Sequence, residues 1–527
     1  MERAENTTDQ AQPFARAWSQ LQRAVRAREY EDAVSAVRSG WFTLLSGPAH
    51  EVAPLLEPVP PPELDRRPLL SALLGHAQVS IPARRAHALR RLAQAETAAS
   101  TPGGALRPLD RALILGAQAD VQRRLGRMEG AVDAARAALT ALDGSTPAGP
   151  VEARALEDVY AHLGMSLLSS GATQLAQAAL EEGVLVSELA GRAATPGLLA
   201  ALALLDAVDG DLPSARAYAA QARALSPALS GPDAVLLETA QAVLALESAD
   251  RGEAARRAAG PEPDAGRAPA PQWVAATAAR AMLHWLSGYP GKALASLENA
   301  AAVHGREGRT IAVRSAFAPL RATLQLALGH PDAALAVLER DATRTVARQL
   351  GHARIELLLG RHGAALAQLR AVSTAELPTR ELAEAAALEA AALLRFSAGP
   401  RVDAIVDHLG ALLTATGLRL PLRLVPASDF ARVSQALAAA GYAEALGLER
   451  LTPLLPEVAE ETLTRRETAV LNALLEHSSH AAIAAGLNVS VNTVKSQLRS
   501  VYSKLGVSTR DEAIAVALDR HLVVERE

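Results

Sequence analysis

Residues 479–505, SHAAIAAGLNVSVNTVKSQLRSVYSKL, decide how the C-terminal part of the chain folds. Ser479 starts a short alanine-rich stretch that stops at Gly486, and Ser490 starts a longer stretch; serine is a preferred residue just before a helix. In the longer stretch, apolar residues recur at spacings of four, three and four: Val494, Leu498, Val501 and Leu505. A short helix, a glycine turn and a capped long helix predict a helix-turn-helix, a motif that reads DNA with its second helix.

Two further helices are predicted around this motif. Thr464 is followed three residues later by Glu467, and Thr509 is followed in the same way by Glu512. This spacing is typical of a capping box, in which the two side chains satisfy each other's backbone N–H groups at a helix start. The sequence therefore predicts a four-helix domain at residues 463–527.

The face of the long helix opposite its apolar residues is polar. It carries five hydrophilic side chains: Asn492, Lys495, Ser496, Arg499 and Ser503. Lys495 and Arg499 are four residues apart and project together, which suits guanine acceptors or flanking phosphates. Residues 477–510 contain four basic and no acidic residues, whereas the whole chain has 53 Lys and Arg against 57 Asp and Glu. We therefore expect this patch, and not the acidic remainder, to bind double-stranded DNA.

These last 60 or so residues resemble the LuxR-type DNA-binding domain. The motifs that carry the resemblance are LTRRETAVL (463–471), IAAGLNVS (483–490) and NTVKSQLRSVYSKLGVSTRDEA (492–513). The resemblance implies that Lys495, Ser496 and Arg499 read bases and that Thr493 and Lys504 lie near phosphates. With the charge pattern it gives seven predicted DNA-binding residues: Asn492, Thr493, Lys495, Ser496, Arg499, Lys504 and Arg510.

The resemblance also implies a homodimer on a pseudopalindromic DNA site, formed through the last helix. Three residues of that helix are predicted to take part in dimerisation: Ala513, Val516 and Ala517. The chain departs from the family pattern at His477, where glycine is usual, and at Gln497, where histidine is usual. Ala481 and Ala482 replace a usual basic and acidic pair, which removes one possible phosphate contact.

Upstream, glycines recur that are followed five residues later by alanine. The pairs are Gly126 with Ala131, Gly171 with Ala176, Gly210 with Ala215, Gly288 with Ala293, Gly329 with Ala334, Gly360 with Ala365 and Gly399 with Ala404. Ala249 with Ala254 fills the one gap, so that successive positions are 31 to 45 residues apart. Arg28 with Ala33 and Ile81 with Ala86 are read as degenerate earlier copies.

Glycine ends a helix in the left-handed conformation, and alanine lets the next helix pack closely against the first. The spacing therefore predicts helical hairpins that stack into a TPR-like α-solenoid at residues 15–450. The alternative is an irregular helical bundle in which the pairs are coincidental. A linker is expected at residues 451–462, and the stretch 417–426, GLRLPLRLVP, is expected to be a short strand or an extended connector. The fold class predicted for the chain is all-α.

The composition argues against several other classes of protein. The chain has no Cys. Lys292 is the one lysine that follows a glycine, and the residues around it do not form a phosphate-binding loop. Neither the G-x-S-x-G nor the H-E-x-x-H motif of hydrolases occurs. No catalytic residue, metal site or cofactor is predicted. The polar N-terminus and the lack of an apolar stretch of about 18 residues predict a cytoplasmic protein without a membrane partner.

Two functions follow from these features. The first is a transcription regulator whose helical-repeat array, as in large LuxR-type regulators but without their ATP-binding module, binds an unidentified protein, peptide or small-molecule effector. The second is a TPR-like interaction adaptor with a degenerate helix-turn-helix, which the departures at His477, Ala481 and Ala482 leave open.

Overall fold

The computed structural model describes most of the chain. The described residues are 16–45, 49–79, 81–100, 106–145, 147, 149–227, 229, 231–248, 252, 256–257, 273–340, 345–372, 377–395, 399–457, 463–477, 479–505, 507 and 509–519. In these residues the regular elements are helices, joined by one isolated β-bridge between Pro426 and Leu455. The predicted all-α fold class is confirmed.

The helices are numbered in chain order. They are α1 (16–27), α2 (Tyr30–Ser39), α3 (Trp41–Leu45), α4 (Ala49–Leu56), α5 (Pro61–Arg66), α6 (Pro68–Val79), α7 (Arg85–Ser100), α8 (Pro108–Arg124), α9 (Met128–Leu142), α10 (Pro150–Ser169), α11 (Thr173–Leu189), α12 (Pro196–Asp209), α13 (Leu212–Leu225), α14 (Gly231–Leu246), α15 (Trp273–Leu286), α16 (Pro290–Val303), α17 (Gly305–Gly308), α18 (Ile311–Ala327), α19 (Pro331–Glu339), α20 (Val346–Leu358), α21 (His362–Arg370), α22 (Thr379–Leu393), α23 (Pro400–Thr416), α24 (Leu420–Arg423), α25 (Ala427–Ala439), α26 (Ala443–Leu446), α27 (Arg465–Glu476), α28 (His480–Gly486), α29 (Val491–Leu505) and α30 (Arg510–Asp519). Short 3₁₀ turns lie at Pro82–Arg84 and Leu448–Arg450.

The chain forms two compact units. The first comprises residues 1–246, 251–287 and 292–317, and the second comprises residues 247–250, 288–291 and 318–527. The first unit contains a row of helices that pack one on the next: α6, α8, α10, α12 and α14. Each of them also packs against a helix that is its neighbour in the chain. These inner helices are therefore contacted on several sides, which explains why most residues of α8 and α12 are buried.

The turn geometry predicted from the glycine and alanine pairs is observed at six positions. Gly126, Gly171, Gly210, Gly288, Gly329 and Gly360 have φ between 72° and 109°. The alanine five residues after each of them is at most 1% exposed. A left-handed turn favours glycine because it lacks a Cβ atom, and the buried alanine permits close helix packing. The TPR-like hairpins predicted from these pairs are confirmed.

Two of the remaining predicted copies depart from this pattern, and one follows it. Gly399 has an extended backbone (φ 158°, ψ 173°) that leads into α23, and Ala404 is exposed. The copy at Ile81 is wrong, because a 3₁₀ turn follows it and the buried alanine is Ala88, not Ala86. The copy at Arg28 is confirmed, since Arg28 itself adopts φ 60° and Ala33 is fully buried. The pair Ala249 and Ala254 lies outside the described residues.

The expectation of a strand or extended connector at 417–426 is wrong. This stretch contains the short buried helix α24, whose first N–H groups need acceptors from outside the helix. The carboxylate of Glu247 supplies one, because its Oε2 accepts the N–H groups of Arg419 and Leu420, each at 2.7 Å. A partner 172 residues away in sequence therefore determines this helix start.

Residues 451–456, which we call the strap, are the first part of the predicted linker, and they pack against α24 and α25. The Leu454 N–H donates to the Arg423 carbonyl at 2.8 Å, and the Arg423 Nε donates to the Thr452 carbonyl at 3.1 Å. Leu455 is 3% exposed. The strap is thus held by the second unit, whereas residues 458–462 of the predicted linker lie outside the described residues.

Replacing Arg423 by methionine is expected to release the strap. The variant loses the guanidinium bond to Thr452, and a hydrogen bond from a charged donor is worth enough to speed local opening about tenfold or more. Hydrogen exchange at the Leu454 amide of the full chain measures this. Arg401→Met is the matched control, since Arg401 pairs with Glu389 while its own side chain is 62% exposed. Equal exchange at Leu454 in the unaltered chain and both variants would show that the Arg423 side chain does not hold the strap.

Candidate nucleic-acid interface

Helices α27 to α30 form a small domain around one apolar cluster. Its buried members are Val470, Leu471, Ala473, Leu474, Ile483, Ala484, Val494, Leu498, Val501, Leu505, Ala513 and Ala517. The four apolar positions predicted to face inward on α29 all belong to it, and each is at most 5% exposed. The opposite side of α29 is therefore presented outward.

The capping box predicted at the start of α27 is present. The Thr464 hydroxyl accepts the Glu467 N–H at 3.3 Å, and the Glu467 Oε2 accepts the Thr464 N–H at 2.7 Å. Two N–H groups that the helix itself cannot satisfy are thereby bonded. The capping box therefore fixes the residue at which α27 begins.

Serine caps start both α28 and α29, and a tight turn lies between the two helices. The Ser479 hydroxyl accepts the Ala482 N–H at 3.2 Å, and the Ser490 hydroxyl accepts the Thr493 N–H at 3.0 Å. Between the helices Asn488 has φ 52°, a left-handed conformation that asparagine tolerates better than most residues. The start of α28 is consequently set by Ser479, and the start of α29 by Ser490 and the turn at Asn488.

Five of the seven predicted DNA-binding residues form one exposed surface, which we call the recognition face. Its members are Asn492, Thr493, Lys495, Ser496 and Arg499. Lys495 and Arg499 are one helical repeat apart on α29, and the Thr493 hydroxyl lies 2.8 Å from that of Ser490. The recognition face offers two cations together with hydroxyl and amide groups, the groups that contact base edges and phosphates in protein–DNA complexes.

The two other predicted DNA-binding residues use their charges inside the domain. Lys504 Nζ donates to Glu467 Oε2 at 2.8 Å, and its side chain is 19% exposed. The Arg510 Nη2 donates to the carbonyls of Leu474 and His477, each at 2.6 Å, and so caps the end of α27. Lys504 and Arg510 are therefore bonded within the domain, unlike the exposed residues of the recognition face.

Glu467 is the supporting residue that the sequence pattern did not reveal beyond its place in the capping box. Besides Thr464 and Lys504, it accepts the Ser500 hydroxyl at 2.6 Å, so that it joins α27 to α29. Burial raises the pKa of this carboxyl, but the hydrogen bonds from Lys504, Ser500 and Thr464 outweigh burial and lower the pKa to about 2. An apolar-facing glutamate at a helix start, opposite a lysine on the next long helix, is the signal that could have indicated the pair.

The predicted dimerisation residues lie mostly in the core. Ala513 and Ala517 are fully buried within their own domain, so neither presents a surface to a second copy. The side chain of Val516 lies outside the part that the structure describes. Of the residues that depart from the family pattern, Ala481 is exposed and Ala482 half-buried, while the His477 ring lies against Gly486.

The described ranges lack both metal-ion sites and membrane-spanning helices. They contain no group of three or more His, Asp or Glu residues placed to hold a metal ion. Within the same ranges no helix is long and apolar enough to cross a membrane.

The luxR family of bacterial regulatory proteins matches residues 461–517. The C-terminal domain is a LuxR-family helix-turn-helix. The transcriptional regulatory protein YdfI of Bacillus subtilis is 42% identical over 64 residues, which cover 12% of this chain and 30% of YdfI. The probable transcriptional regulatory protein SgaR of Hyphomicrobium methylovorum is 47% identical over 66 residues, which cover 12% of this chain and 29% of SgaR.

A third relative is the probable transcriptional regulatory protein NarL of Mycobacterium tuberculosis, 40% identical over 75 residues, or 14% of this chain and 32% of NarL. The chain thus spans about a third or less of these relatives. Among solved structures, the crystal structure of the APC/C hetero-tetramer Cut9-Hcn1 aligns over 98% of this chain and 97% of its own, with 12% identity and a TM-score of 0.40.

Replacing Glu467 by glutamine is expected to loosen the LuxR-family domain. The amide keeps the size of the side chain but loses the charge-assisted bond to Lys504, so we expect the free energy of local opening to fall by about 1–3 kcal/mol at pH 7. Hydrogen exchange of peptides from residues 463–519 in the full chain measures this change. Glu476→Gln on the exposed side of the same helix is the matched control.

The same variant tests a pH dependence. Since the folded pKa of Glu467 is about 2 and its ordinary value is 4.5, the stabilisation is complete above pH 4.5 and is lost as pH falls from 4.5 towards 2. Glu467→Gln is expected to show a smaller loss of protection over that interval. An unchanged pH profile contradicts the role assigned to Glu467.

Proposed function

We propose that the chain is a DNA-binding transcription regulator that recognises double-stranded DNA with the recognition face of α29. The observation that carries the proposal is that the basic side chains of the LuxR-family domain have different surroundings. Lys504 and Arg510 are bonded internally, while Lys495 and Arg499 are exposed on α29, the counterpart of the helix that enters the major groove in helix-turn-helix proteins.

Each group of the recognition face suits a different part of DNA. Lys495 and Arg499 are suited to the O6 and N7 acceptors of guanine, Asn492 to an adenine edge, and Ser496 to either kind of base. Thr493 lies in the first turn of α29, where its exposed hydroxyl, 2.8 Å from that of Ser490, is suited to contact a phosphate.

Two copies are proposed to bind one DNA site. A single recognition helix contacts few base pairs, and helix-turn-helix proteins extend their site by pairing two copies on half-sites about one helical turn apart. Because Ala513 and Ala517 are buried, we propose that other residues of α30 make the contact between copies. Among the exposed residues of α30 is Asp511.

The helical-repeat array is proposed to bind the effector, which is a protein, a peptide or a small molecule. Stacked hairpins offer an extended surface to which successive repeats contribute side chains. An effector that binds differently to two states of the array can shift the DNA-binding domain between available and unavailable forms.

Substitutions on α29 test the proposal. Lys495→Ala and Arg499→Ala are each expected to weaken binding to a preferred DNA fragment about tenfold or more, because each removes a base or phosphate contact. A residue that contacts a phosphate should, when replaced, also reduce the slope of log affinity against log salt by about one, whereas loss of a base contact should relax the preference for that base. The measurement is a DNA titration of the full chain at several salt concentrations.

Lys504→Met is the matched control on the same helix. Since Lys504 is paired with Glu467, its loss should lower the stability of the domain and leave the salt slope unchanged. If Lys495→Ala and Arg499→Ala bind DNA like the unaltered chain, the recognition face does not bind DNA. That result would favour the interaction adaptor over the regulator.

A further inference from the structure

Two large apolar side chains are more than a third exposed among the described residues of the LuxR-family domain. Val489 is 41% exposed and Val491 is 38% exposed, one on each side of the capping residue Ser490. Most other large apolar residues of this small domain belong to its core or pack against it. The exposure of these two valines is therefore not explained by the packing of the domain.

Val491 and Val489 differ in their position relative to α29. Val491 is the first residue of α29, and it stands four residues before Lys495 and eight before Arg499. Residues four apart lie on one ridge of a helix, so Val491, Lys495 and Arg499 form a continuous row that begins with an apolar group. Val489 precedes the helix and belongs to the turn.

The chemistry of the major groove restricts what such a row can recognise with its first member. Base edges there present hydrogen-bond donors and acceptors, which valine cannot use, and the C5 methyl group of thymine, which it can contact. In helix-turn-helix proteins the N-terminal residues of the recognition helix are those that reach base edges. The position and the chemistry of Val491 both match a thymine methyl.

We propose that Val491 is a specificity-determining residue that packs on the C5 methyl of a thymine in the DNA site, beside the base or phosphate contacts of Lys495 and Arg499. The inference rests on the proposed function and deepens it. It predicts a thymine in each half-site whose methyl group, separately from its hydrogen-bonding edge, contributes to affinity.

Uracil in place of thymine isolates that methyl group, since the two bases differ only at C5. The probe is a duplex that the full-length chain binds preferentially, with thymines replaced by uracil one position at a time in both half-sites. The unaltered chain should bind one of these duplexes roughly fourfold more weakly per methyl lost, the size expected for burying one methyl-sized group.

Val491→Ala should bind the thymine duplex about as weakly as the unaltered chain binds the uracil duplex. Replacing that thymine by uracil should not weaken binding by Val491→Ala any further. Equal binding of the two proteins to the uracil duplex also shows that the variant is folded. Val489→Ala is the matched control, because it removes an equally exposed valine that is not on the row; it should respond to uracil as the unaltered chain does.

Either of two results would overturn the inference while DNA binding itself persists. One is that no uracil substitution weakens binding by the unaltered chain, and the other is that Val491→Ala remains as sensitive to uracil as the unaltered chain. Failure of the unaltered chain to prefer any duplex is a different result, which contradicts the proposed function.

Discussion

The bond between Glu467 and Lys504 is the contact on which the LuxR-family domain depends. Glu467 is 5% exposed, and a buried carboxylate is stable only if charged and hydrogen-bonded partners surround it. Thr464 supplies one partner from the chain entering α27, and Ser500 and Lys504 supply two more from α29. One side chain therefore fixes both the start of the domain and the position of the helix that carries the recognition face.

This contact also decides which charges remain for a nucleic acid. Residues 477–510 carry four basic side chains, but Lys504 is neutralised by Glu467, and the guanidinium of Arg510 is bonded to two carbonyls at the end of α27. Lys495 and Arg499 are the pair left exposed on α29. With few phosphates neutralised, nonspecific attraction to DNA is modest, and discrimination must come from base edges. That is the setting in which one apolar group, such as that of Val491, has a measurable effect.

Local patterns in the sequence predicted what depends on local geometry. The left-handed glycines, the buried alanines, both observed serine caps and the inward row of α29 follow from spacings of a few residues. The orientation of Lys504 and Arg510 could not be predicted in this way, because their acceptors lie 33 to 37 residues away. The helix at 420–423 was missed for the same reason, since its N–H groups bind Glu247 from a distant part of the chain. The exposure of Val491 does not follow from the sequence, because an apolar residue at a helix start resembles a core position until its neighbours are known.

The central claim is that the recognition face binds DNA of particular sequence. The most direct test is capture of fragmented DNA of the source organism by the purified full-length chain at two salt concentrations, followed by sequencing. The account predicts that a small set of fragments sharing a short, repeated half-site is enriched, and that it is retained better than bulk DNA as salt rises. Recovery of fragments in the same proportions as the starting DNA, at both salt concentrations and also with residues 455–527 alone, would contradict it.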